Sequence, residues 1–271
     1  PLKQVTKNLV REFGPNWQKN FKEINLYPFA AASIGQVHEA ILTDDTRVAL
    51  KMQYTGISNS IDSDLNNFKM LIDMLGIFPR GLYLNEAIDV ARGELHWECN
   101  YEREAYYQRE YREHMLKYPN DFYCPQVVDH LSTKTILCTE FVNGREIDTF
   151  MGDGGTQQIR DRIGELLIKL CFKELFEFKM MQTDPNPANY LYDRDKDILN
   201  LLDLGAGRDF EEDFLDSYKH IIWGAFQSDR KAIIDNSINI GFLTGEENKE
   251  MFQAHFDGTM VVGEPFRTNN D

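Results

Sequence analysis

The stretch TDPNPANYLYDRDKDILNLLDLG, residues 183–205, decides the fold expected of this chain. It begins with a proline-containing loop, in which Asp184 and Asn189 lie five positions apart. Two short apolar runs follow, Tyr190–Tyr192 and Ile198–Asp203, and the polar residues between them have turn chemistry. The stretch therefore predicts a β-hairpin with a polar loop in front of it and a carboxylate at its end.

The polar residues around this hairpin suit the binding of a metal ion. Asp203 follows two apolar residues and precedes Leu204 and Gly205, and Mg²⁺ prefers hard oxygen donors of this kind. Asn189 offers an amide oxygen, and Asp184 offers a second carboxylate. Each motif also has a plain structural interpretation, because Asp-Pro-Asn-Pro is a good turn and Asp-x-Gly is a common one.

A second hairpin is predicted nearer the start of the chain. Runs typical of strands at Val37–Leu42 and Val48–Met52 flank the turn residues Thr43–Thr46. Residues 30–37 read AAASIGQV, and a loop of small residues between strands lets backbone N–H groups approach phosphates closely. Alanine restricts positive φ more than glycine does, and such a stretch is also typical of tight packing. Lys51, alone among apolar residues, is either an edge charge or a cation that binds a ligand.

Helical patterns occupy most of the remaining chain. They cover residues 1–25, 57–75, 86–116 and 163–178 and the chain beyond about 210, and a further strand pair is expected at 127–131 and 135–142. The stretch 86–116 is interpreted as one long charged helix that Gly93 weakens. This order predicts an α+β fold with two lobes. A small β-sheet lobe with a helical insert, residues 1–142, is followed by a mainly helical lobe, residues 143–271.

Charge and composition disfavour several classes of function. With 29 basic and 44 acidic residues the net charge is −15, which disfavours nucleic acid, since proteins bind it mainly by neutralising phosphates with Lys and Arg. No stretch approaches the ~18 consecutive apolar residues of a membrane span. The four cysteines form no Cys-x-x-Cys pair and the six histidines have no metal-ligand spacing, so neither a zinc site nor a disulfide framework is indicated.

The order of these elements resembles that of the protein kinases. Residues 30–37 overlay on the G-x-G-x-x-G-x-V loop and residues 48–51 on V-A-I-K, while the Asp/Asn loop and residues 203–205 match the catalytic loop and D-F-G. Across almost the whole chain the sequence is similar to the UbiB family of atypical kinases, also called aarF-domain-containing kinases, and most to its mitochondrial branch, which supports coenzyme Q biosynthesis. The segments that carry this resemblance are PFAAASIGQVH at 28–38, SIDSDLNN at 60–67, ECNY at 98–101, LFEF at 175–178, MQTDPN at 181–186 and FLTG at 242–245.

The resemblance implies a site for ATP and Mg²⁺. Lys51 would contact the α- and β-phosphates and pair with Glu104 on the long charged helix, Asp184 would orient the attacking group, and Asn189 and Asp203 would hold Mg²⁺. The remaining residues implied to bind the nucleotide are the loop residues Ala30, Ala31, Ala32, Ser33, Ile34, Gly35 and Val37, and the hinge residues Glu140 and Val142, whose backbone would meet adenine.

The chain departs from the family pattern in several places. The family's E-x-D motif appears as Glu98-Cys99-Asn100, with an amide in place of the second acid. Met181-Gln-Thr183 precedes Asp184 where ordinary kinases have His-Arg, and no A-P-E motif follows Asp203. Control by phosphorylation of an activation loop is therefore not expected. Because the sequence does not begin with Met, the family's KxGQ segment and any targeting segment are expected upstream.

The expected function is that of an atypical kinase or ATPase. The resemblance implies ATP hydrolysis or phosphorylation of a small molecule in support of coenzyme Q biosynthesis, on the matrix side of the mitochondrial inner membrane. It also implies proteins of the coenzyme Q biosynthetic complex and anionic inner-membrane lipid as partners. Two alternatives stay open: a protein kinase that acts on protein substrates, and a nucleotide-sensing pseudokinase scaffold without turnover.

Overall fold

The computed structural model describes residues 2–32, 34–75 and 84–264. Contacts group the chain into two compact units. The first unit comprises Pro1–Lys169 with Gln182–Gly207, and the second comprises Leu170–Met181 with Arg208–Asp271. These units are defined by contacts and do not test the lobes expected at 1–142 and 143–271. The lobe boundary therefore stays a prediction.

Eleven strands occur in the described part of the chain. They are β1 (Phe21–Ile24), β2 (Ala30–Ala31), β3 (Gly35–Leu42), β4 (Arg47–Gln53), β5 (Phe122–Tyr123), β6 (Ile136–Glu140), β7 (Arg145–Glu146), β8 (Met180–Gln182), β9 (Tyr190–Asp193), β10 (Ile198–Leu201) and β11 (Gly207–Asp209). The first sheet has the order β1-β3-β4-β6 with β2 paired to β3, and its pairs are antiparallel. The second sheet has the order β5-β10-β9-β7.

Eight α-helices occur in the same residues. They are α1 (Leu2–Phe13), α2 (Ile57–Leu75), α3 (Leu84–Glu98), α4 (Tyr101–Met115), α5 (Gln157–Lys173), α6 (Glu212–Gln227), α7 (Arg230–Asn239) and α8 (Lys249–Gly263). None of the helices described is long and apolar enough to cross a membrane. The insert between β4 and α4 consists of α2 and α3, whose connection at residues 76–83 lies outside the described residues.

The first sheet buries one face under the N-terminal helix. Val48, Leu50 and Met52 alternate along β4 with more exposed residues, and all three are fully buried in one cluster with Val5 and Leu9 of α1. Alternation of this kind puts successive side chains on opposite faces of a sheet. The side chain of Lys51, which lies between Leu50 and Met52, is therefore on the other face of the sheet.

The predicted helix over residues 1–25 is wrong in its second half. Helix α1 ends at Phe13, and Gly14 follows with φ +80°, a left-handed conformation that glycine adopts at low cost. Residues 21–24 then form β1, which pairs with β3. Apolar spacing over so short a stretch did not distinguish the helix from the edge strand.

The long helix predicted over 86–116 is in fact two helices. The break falls at Cys99 and Asn100, whereas Gly93 lies inside α3 with open space around it. Asn100 is the N-cap of α4, because its side-chain oxygen accepts a hydrogen bond from the backbone N–H of Arg103 at 3.4 Å. Asn is among the preferred residues at this position. The amide that replaces the family's acid therefore has a structural role at the start of α4.

The second sheet contains the hairpin from which the fold was inferred. Strands β9 and β10 pair antiparallel around a turn in which Asp197 has φ 57°. All four side chains of β10 are buried, and β10 also pairs in parallel with β5. This hairpin is confirmed, as is the one formed by β3 and β4. Of the strand pair expected at 127–142, only β6 forms, with Val127 making a single bridge to Thr139.

The second unit is mainly helical. Its core lies between α6 and α7, where Ile221, Ala225 and Ile233 are buried, and α8 packs against α6. Gly263 of α8 approaches so closely that an added Cβ would lie 2.7 Å from the Cβ of Ala225. The helical character predicted for the chain beyond about 210 is confirmed for the described residues, up to 264.

Candidate functional site

Lys51 lies in the middle of β4 and points away from the core under α1. Its ammonium donates hydrogen bonds to both carboxylate oxygens of Glu104, at 2.7 and 3.0 Å, and to Oδ2 of Asp203 at 2.6 Å. Glu104 lies in the first turn of α4, and Asp203 follows β10. The structure therefore brings two residues to Lys51 that are far from it in sequence. Glu104 is 53 positions away and Asp203 is 152 positions away.

Burial distinguishes the two carboxylates that share this lysine. The side chain of Glu104 is 2% exposed and that of Asp203 is 35% exposed. Burial, together with the charge of Asp203, raises the pKa of Glu104 to about 7 despite the nearby ammonium. Burial also opposes ionisation of Asp203, but Lys51 outweighs it and lowers the pKa of that carboxyl. One cation cannot fully compensate two carboxylates, so the more buried one is the weaker acid.

The same balance keeps Lys51 charged. Burial alone would lower the pKa of its ammonium, but the charges of Glu104 and Asp203 outweigh that effect and raise the pKa above its ordinary value. The ring of Tyr101 lies 5.1 Å from the ammonium and adds a cation–π contact. Lys51 is thus a fixed positive charge on a side chain that is 16% exposed, as a residue that binds phosphate requires.

Asp184 and Asn189 lie together at the start of the second hairpin. The amide nitrogen of Asn189 donates to Oδ2 of Asp184 at 3.0 Å and to its carbonyl oxygen at 3.2 Å. The backbone carbonyl oxygen of Asn189 accepts a hydrogen bond from the backbone N–H of Leu202 at 2.9 Å. That bond holds the loop beside the residue that precedes Asp203. The predicted catalytic and metal-binding residues are therefore neighbours in space.

The donor set at this place fits Mg²⁺. Both hydrogen bonds to Asp184 use the amide nitrogen of Asn189, so its amide oxygen is the atom suited to a cation. Asp203 adds a partly exposed carboxylate. Among the residues described, no three or more His, Cys, Asp or Glu side chains form a metal-binding group by themselves. Mg²⁺ is commonly bound by one or two protein groups together with phosphate oxygens and waters, which is the role that Asn189 and Asp203 are suited to fill.

The alanine-rich loop is a tight hairpin at the edge of the first sheet. Ala30 and Ala31 form β2 and pair with Val37 and Gln36 of β3, and the backbone N–H of Ala32 donates to the carbonyl of Gly35 at 2.9 Å. Ala30 and Ala31 are exposed, and Ser33 lies outside the described residues. The predicted contacts of Ala30, Ala31, Ala32 and Ser33 with nucleotide stay predictions.

The end of this loop is fixed close to Lys51. Gly35 passes so near β4 that an added Cβ would lie 2.5 Å from the carbonyl oxygen of Met52. Ile34 is buried in a cluster with Tyr101, and Val37 is paired directly opposite Lys51. Opposite residues of paired strands share one face of a sheet. Val37 is therefore placed to contact a ligand of Lys51. The side chain of Ile34 is instead buried and packs in the cluster that contains Tyr101.

The expected hinge residues lie at the end of β6. Glu140 is its last residue, and its side chain accepts a hydrogen bond from the hydroxyl of Tyr123 at 2.5 Å. The backbone N–H of Glu140 donates to the carbonyl of Gln126 at 2.8 Å. Val142 follows in a segment without regular secondary structure. The contact of Glu140 and Val142 with adenine stays a prediction.

Two residues near the site were missed at the sequence level. The hydroxyl of Tyr101 is buried and has no hydrogen-bond partner in the described structure. Arg103, next to Glu104 in α4, donates to the carbonyl oxygens of Gly205 and Gly207. Its spacing of four residues from Tyr107, which puts both on one helix face, was an available signal for Arg103. Tyr101 lies in the segment ECNY that carries the family resemblance, which was the available signal for it.

Comparisons with known proteins show which family the chain is similar to. The profile of the ABC1 atypical kinase-like domain matches residues 1–237. Over its whole length the chain is 42% identical to the Caenorhabditis elegans protein "Atypical kinase coq-8, mitochondrial", and the match covers 36% of that protein. It is 41% identical, again over all its length, to 54% of "Atypical kinase COQ8, mitochondrial" from Saccharomyces cerevisiae. It thus spans between about a third and about half of these relatives' length.

A solved structure is similar as well. The Mycobacterium tuberculosis protein Rv3197, determined in complex with erythromycin, superposes with a TM-score of 0.74 at 28% identity. The match covers 89% of this chain and 60% of that one. Together with the profile match, this confirms the α+β, kinase-like fold expected from the sequence.

Proposed function

This chain belongs to the ABC1 atypical kinase-like family, and from that premise we propose that it binds Mg-ATP and uses it for hydrolysis or for phosphorylation of a small molecule. The family membership confirms the resemblance on which the expectation was built. The curated relatives are named as mitochondrial atypical kinases. By the same resemblance, the proposed role is support of coenzyme Q biosynthesis.

The observation that carries this proposal is the ion pair of Lys51 with Glu104. The carboxylate reaches the ammonium with both oxygens and is itself almost fully buried. Burying an acid here is unfavourable for the fold, since burial raises its pKa. A strand lysine held by a helix glutamate is the arrangement by which kinase folds hold the α- and β-phosphates. A site for a triphosphate explains why this chain maintains a costly buried pair.

The residues of the site have distinct roles in the proposed reaction. Lys51 binds phosphate oxygens and offsets their charge, which an acidic protein otherwise repels. Asp184, exposed at the start of its loop, orients the hydroxyl group or water that attacks. Asn189 and Asp203 would hold Mg²⁺, which when bound neutralises charge on the phosphates. Catalysis of this kind consists mostly of positioning and charge stabilisation.

The side chains in front of Asp184 favour a small acceptor over a protein. Ordinary kinases have His-Arg at this place, and here Gln182 and Thr183 instead hold the backbone after β10. An arginine at this place can receive a phosphorylated activation loop, and the chain has no such group there. Transfer of labelled phosphate to protein substrates, abolished by Asp184→Asn, would favour the protein-kinase alternative.

A location on the matrix side of the mitochondrial inner membrane, near coenzyme Q biosynthetic proteins and anionic lipid, is part of the proposal. The net charge of −15 requires any lipid contact to use a local basic surface. Lys3, Lys7 and Arg11 lie four residues apart on α1 and are exposed, which provides one. In co-sedimentation, the protein should bind vesicles that contain anionic lipid more strongly than vesicles without it. The double substitution Lys3→Glu with Lys7→Glu should abolish this preference.

The decisive test of nucleotide use compares two lysines in the first unit. Lys51→Ala should abolish the Mg-ATP-dependent rise in melting temperature and the ATP turnover of the purified protein. Lys22→Ala is the matched control, because Lys22 is exposed and pairs with Asp45 away from the site. Equal thermal shifts for Lys51→Ala and the wild type would contradict the role assigned to Lys51. Binding without turnover in the wild type would favour the scaffold alternative.

A further inference from the structure

The backbone that follows Asp203 is held by side chains at nearly every carbonyl. Four carbonyl oxygens in the segment 203–207 accept hydrogen bonds from three side chains outside it. The donors are Gln182 to the carbonyl of Asp203 at 2.7 Å, Arg103 to those of Gly205 at 2.7 Å and of Gly207, and Thr183 to that of Ala206 at 2.9 Å. We call Arg103, Gln182 and Thr183 the carbonyl clamp.

Arg103 is the central member of the clamp because it makes two of these bonds. Its guanidinium carbon lies 5.0 Å from the ring centre of Trp97 and 4.7 Å from that of Tyr107. Cation–π contacts with two rings restrict the planar fork. Its two terminal nitrogens, Nη1 and Nη2, donate separately to carbonyls two residues apart, which suits the fixed fork of a guanidinium better than the point charge of lysine.

Glycines let the segment approach α4 at this place. A Cβ on Gly207 would lie 2.5 Å from Cγ of Tyr107, and a Cβ on Gly205 would lie 3.2 Å from Oδ1 of Asp203. The backbone N–H of Gly205 donates to that same Oδ1 at 3.0 Å. The carboxylate of Asp203 is therefore oriented by a backbone that is itself fixed to α4 and to the residues before Asp184.

We propose that the carbonyl clamp holds the carboxylate of Asp203 in its metal-binding position before any ligand binds, with Arg103 as the main positioning residue. This inference rests on the proposed function. In many kinases the corresponding aspartate is brought into place by phosphorylation of the activation loop. Here the same helix supplies both Glu104 for the lysine and Arg103 for the segment after Asp203, so one element sets both halves of the site.

The consequence is a division of roles that binding measurements can resolve. Lys51 and the alanine-rich loop contact the phosphates directly, whereas the clamp acts only through Asp203 and its metal. Loss of the clamp should weaken the binding of Mg²⁺ with nucleotide and leave nucleotide binding in EDTA nearly unchanged. A residue that merely stabilised the fold would change both bindings alike.

The test compares Arg103→Met with Arg109→Met. Arg109 lies on the same helix but is 47% exposed and pairs with Asp129, so its loss controls for removal of a charge from α4. Binding of ADP is titrated in EDTA and at increasing Mg²⁺. Arg103→Met should raise the Mg²⁺ concentration for half-maximal binding by about tenfold, near the lower limit expected for the loss of a hydrogen bond from a charged donor. Arg103→Lys should have a smaller effect, and Arg109→Met none.

A second readout does not depend on nucleotide. The backbone N–H of Gly207 donates to the carbonyl of Leu204 at 3.0 Å, and this bond closes the clamped turn. In the metal-free protein, Arg103→Met should lose about tenfold or more of the hydrogen-exchange protection of that amide, while Arg109→Met retains it. Thr183→Val, which removes one donor from an exposed position, should give an intermediate loss and serves if Arg103→Met does not fold.

The outcomes separate this inference from the proposed function. Normal Mg-ADP binding in Arg103→Met, with unchanged Mg²⁺ dependence, would overturn the clamp and leave the proposed function standing. Failure of the wild type to bind either ADP or ATP would overturn the proposed function, and the exchange of the Gly207 amide would then decide about the clamp alone. Unchanged protection in both Arg103→Met and Thr183→Val would overturn it.

Discussion

Replacing Glu104 with glutamine should make the folded protein more stable at neutral and higher pH. The pKa of Glu104 is about 7 in the folded protein, against 4.5 for an unperturbed glutamate. Each pH unit of difference corresponds to about 1.4 kcal/mol, so ionising this buried acid costs about 3 kcal/mol of folding free energy. Glutamine keeps the shape and one oxygen acceptor for Lys51, which also retains Asp203 at 2.6 Å.

The sign of the pH dependence follows from proton binding. Between pH 4.5 and about 7 the folded protein holds a proton on Glu104 that the unfolded chain releases. Stability of the wild type should therefore fall as pH rises through this window, and remain constant above it as far as Glu104 is concerned. Glu104→Gln has no such group. The variant should gain up to about 3 kcal/mol over the wild type at pH 8 and nothing at pH 4.5.

Urea unfolding in EDTA, without nucleotide, measures this difference at several pH values. Glu102→Gln is the matched control, because Glu102 lies on the same turn of α4 and is exposed, and it should change stability by less than about 0.5 kcal/mol. If Glu104→Gln is instead less stable at pH 8 by about 3–5 kcal/mol, the pair behaves as a broken buried salt bridge, and the assignment of Glu104 as a weakened acid is wrong. The same variant should bind Mg-ATP less tightly, a trade of function against stability.

Substitutions at three further positions test α4, the segment after Asp203 and the first sheet. Gly207→Ala forces a Cβ to 2.5 Å from the ring of Tyr107 and should cost about 1–3 kcal/mol by overpacking, measured by urea unfolding. Asn100→Ala removes the cap of α4 and should lower the unfolding free energy by about 1 kcal/mol, whereas Asn100→Asp should match or slightly exceed the wild type. Burial lowers the pKa of His38, so the contribution of His38 to stability, opposite in sign to that of Glu104, should be lost as pH falls below 6.5; a His38→Leu variant with the same pH profile as the wild type would contradict this.

Local sequence predicted the parts of the fold that short-range chemistry determines. The hairpins β3–β4 and β9–β10 have clear turn residues between two runs that are typical of strands, and α2 spans the residues predicted for it. The break between α3 and α4 was misplaced because Gly93 costs a helix only about 1 kcal/mol. The break falls instead where the backbone N–H of Tyr101 donates to the carbonyl of Lys134 at 3.2 Å. No spacing within the helix reports a contact of that kind.

The residues of the site also divide into those that local sequence indicates and those that depend on long-range contacts. The chemistry of Lys51 and Asp203 could be inferred from their residue types and places in the chain. Choosing Glu104 over Glu102 required the family resemblance, since charge patterning does not reveal that one is buried and the other exposed. The bonds of Arg103 could not be predicted, because their acceptors are backbone carbonyls about a hundred residues away and any residue type supplies a carbonyl.

The most direct test of the central claim is a titration of Mg-ATP with turnover measured in parallel, for the wild type and for Asp203→Asn. Asp203 accepts from Lys51 and is the more exposed of the two carboxylates that pair with it, so its neutral isostere should keep the fold and remove the effect of the metal. We expect the wild type to bind ATP more tightly with Mg²⁺ than in EDTA and to turn it over, and Asp203→Asn to lose both properties. Equal affinity with and without Mg²⁺ in the wild type, or full Mg²⁺ dependence in Asp203→Asn, would contradict the proposed role of Asp203 in binding Mg-ATP.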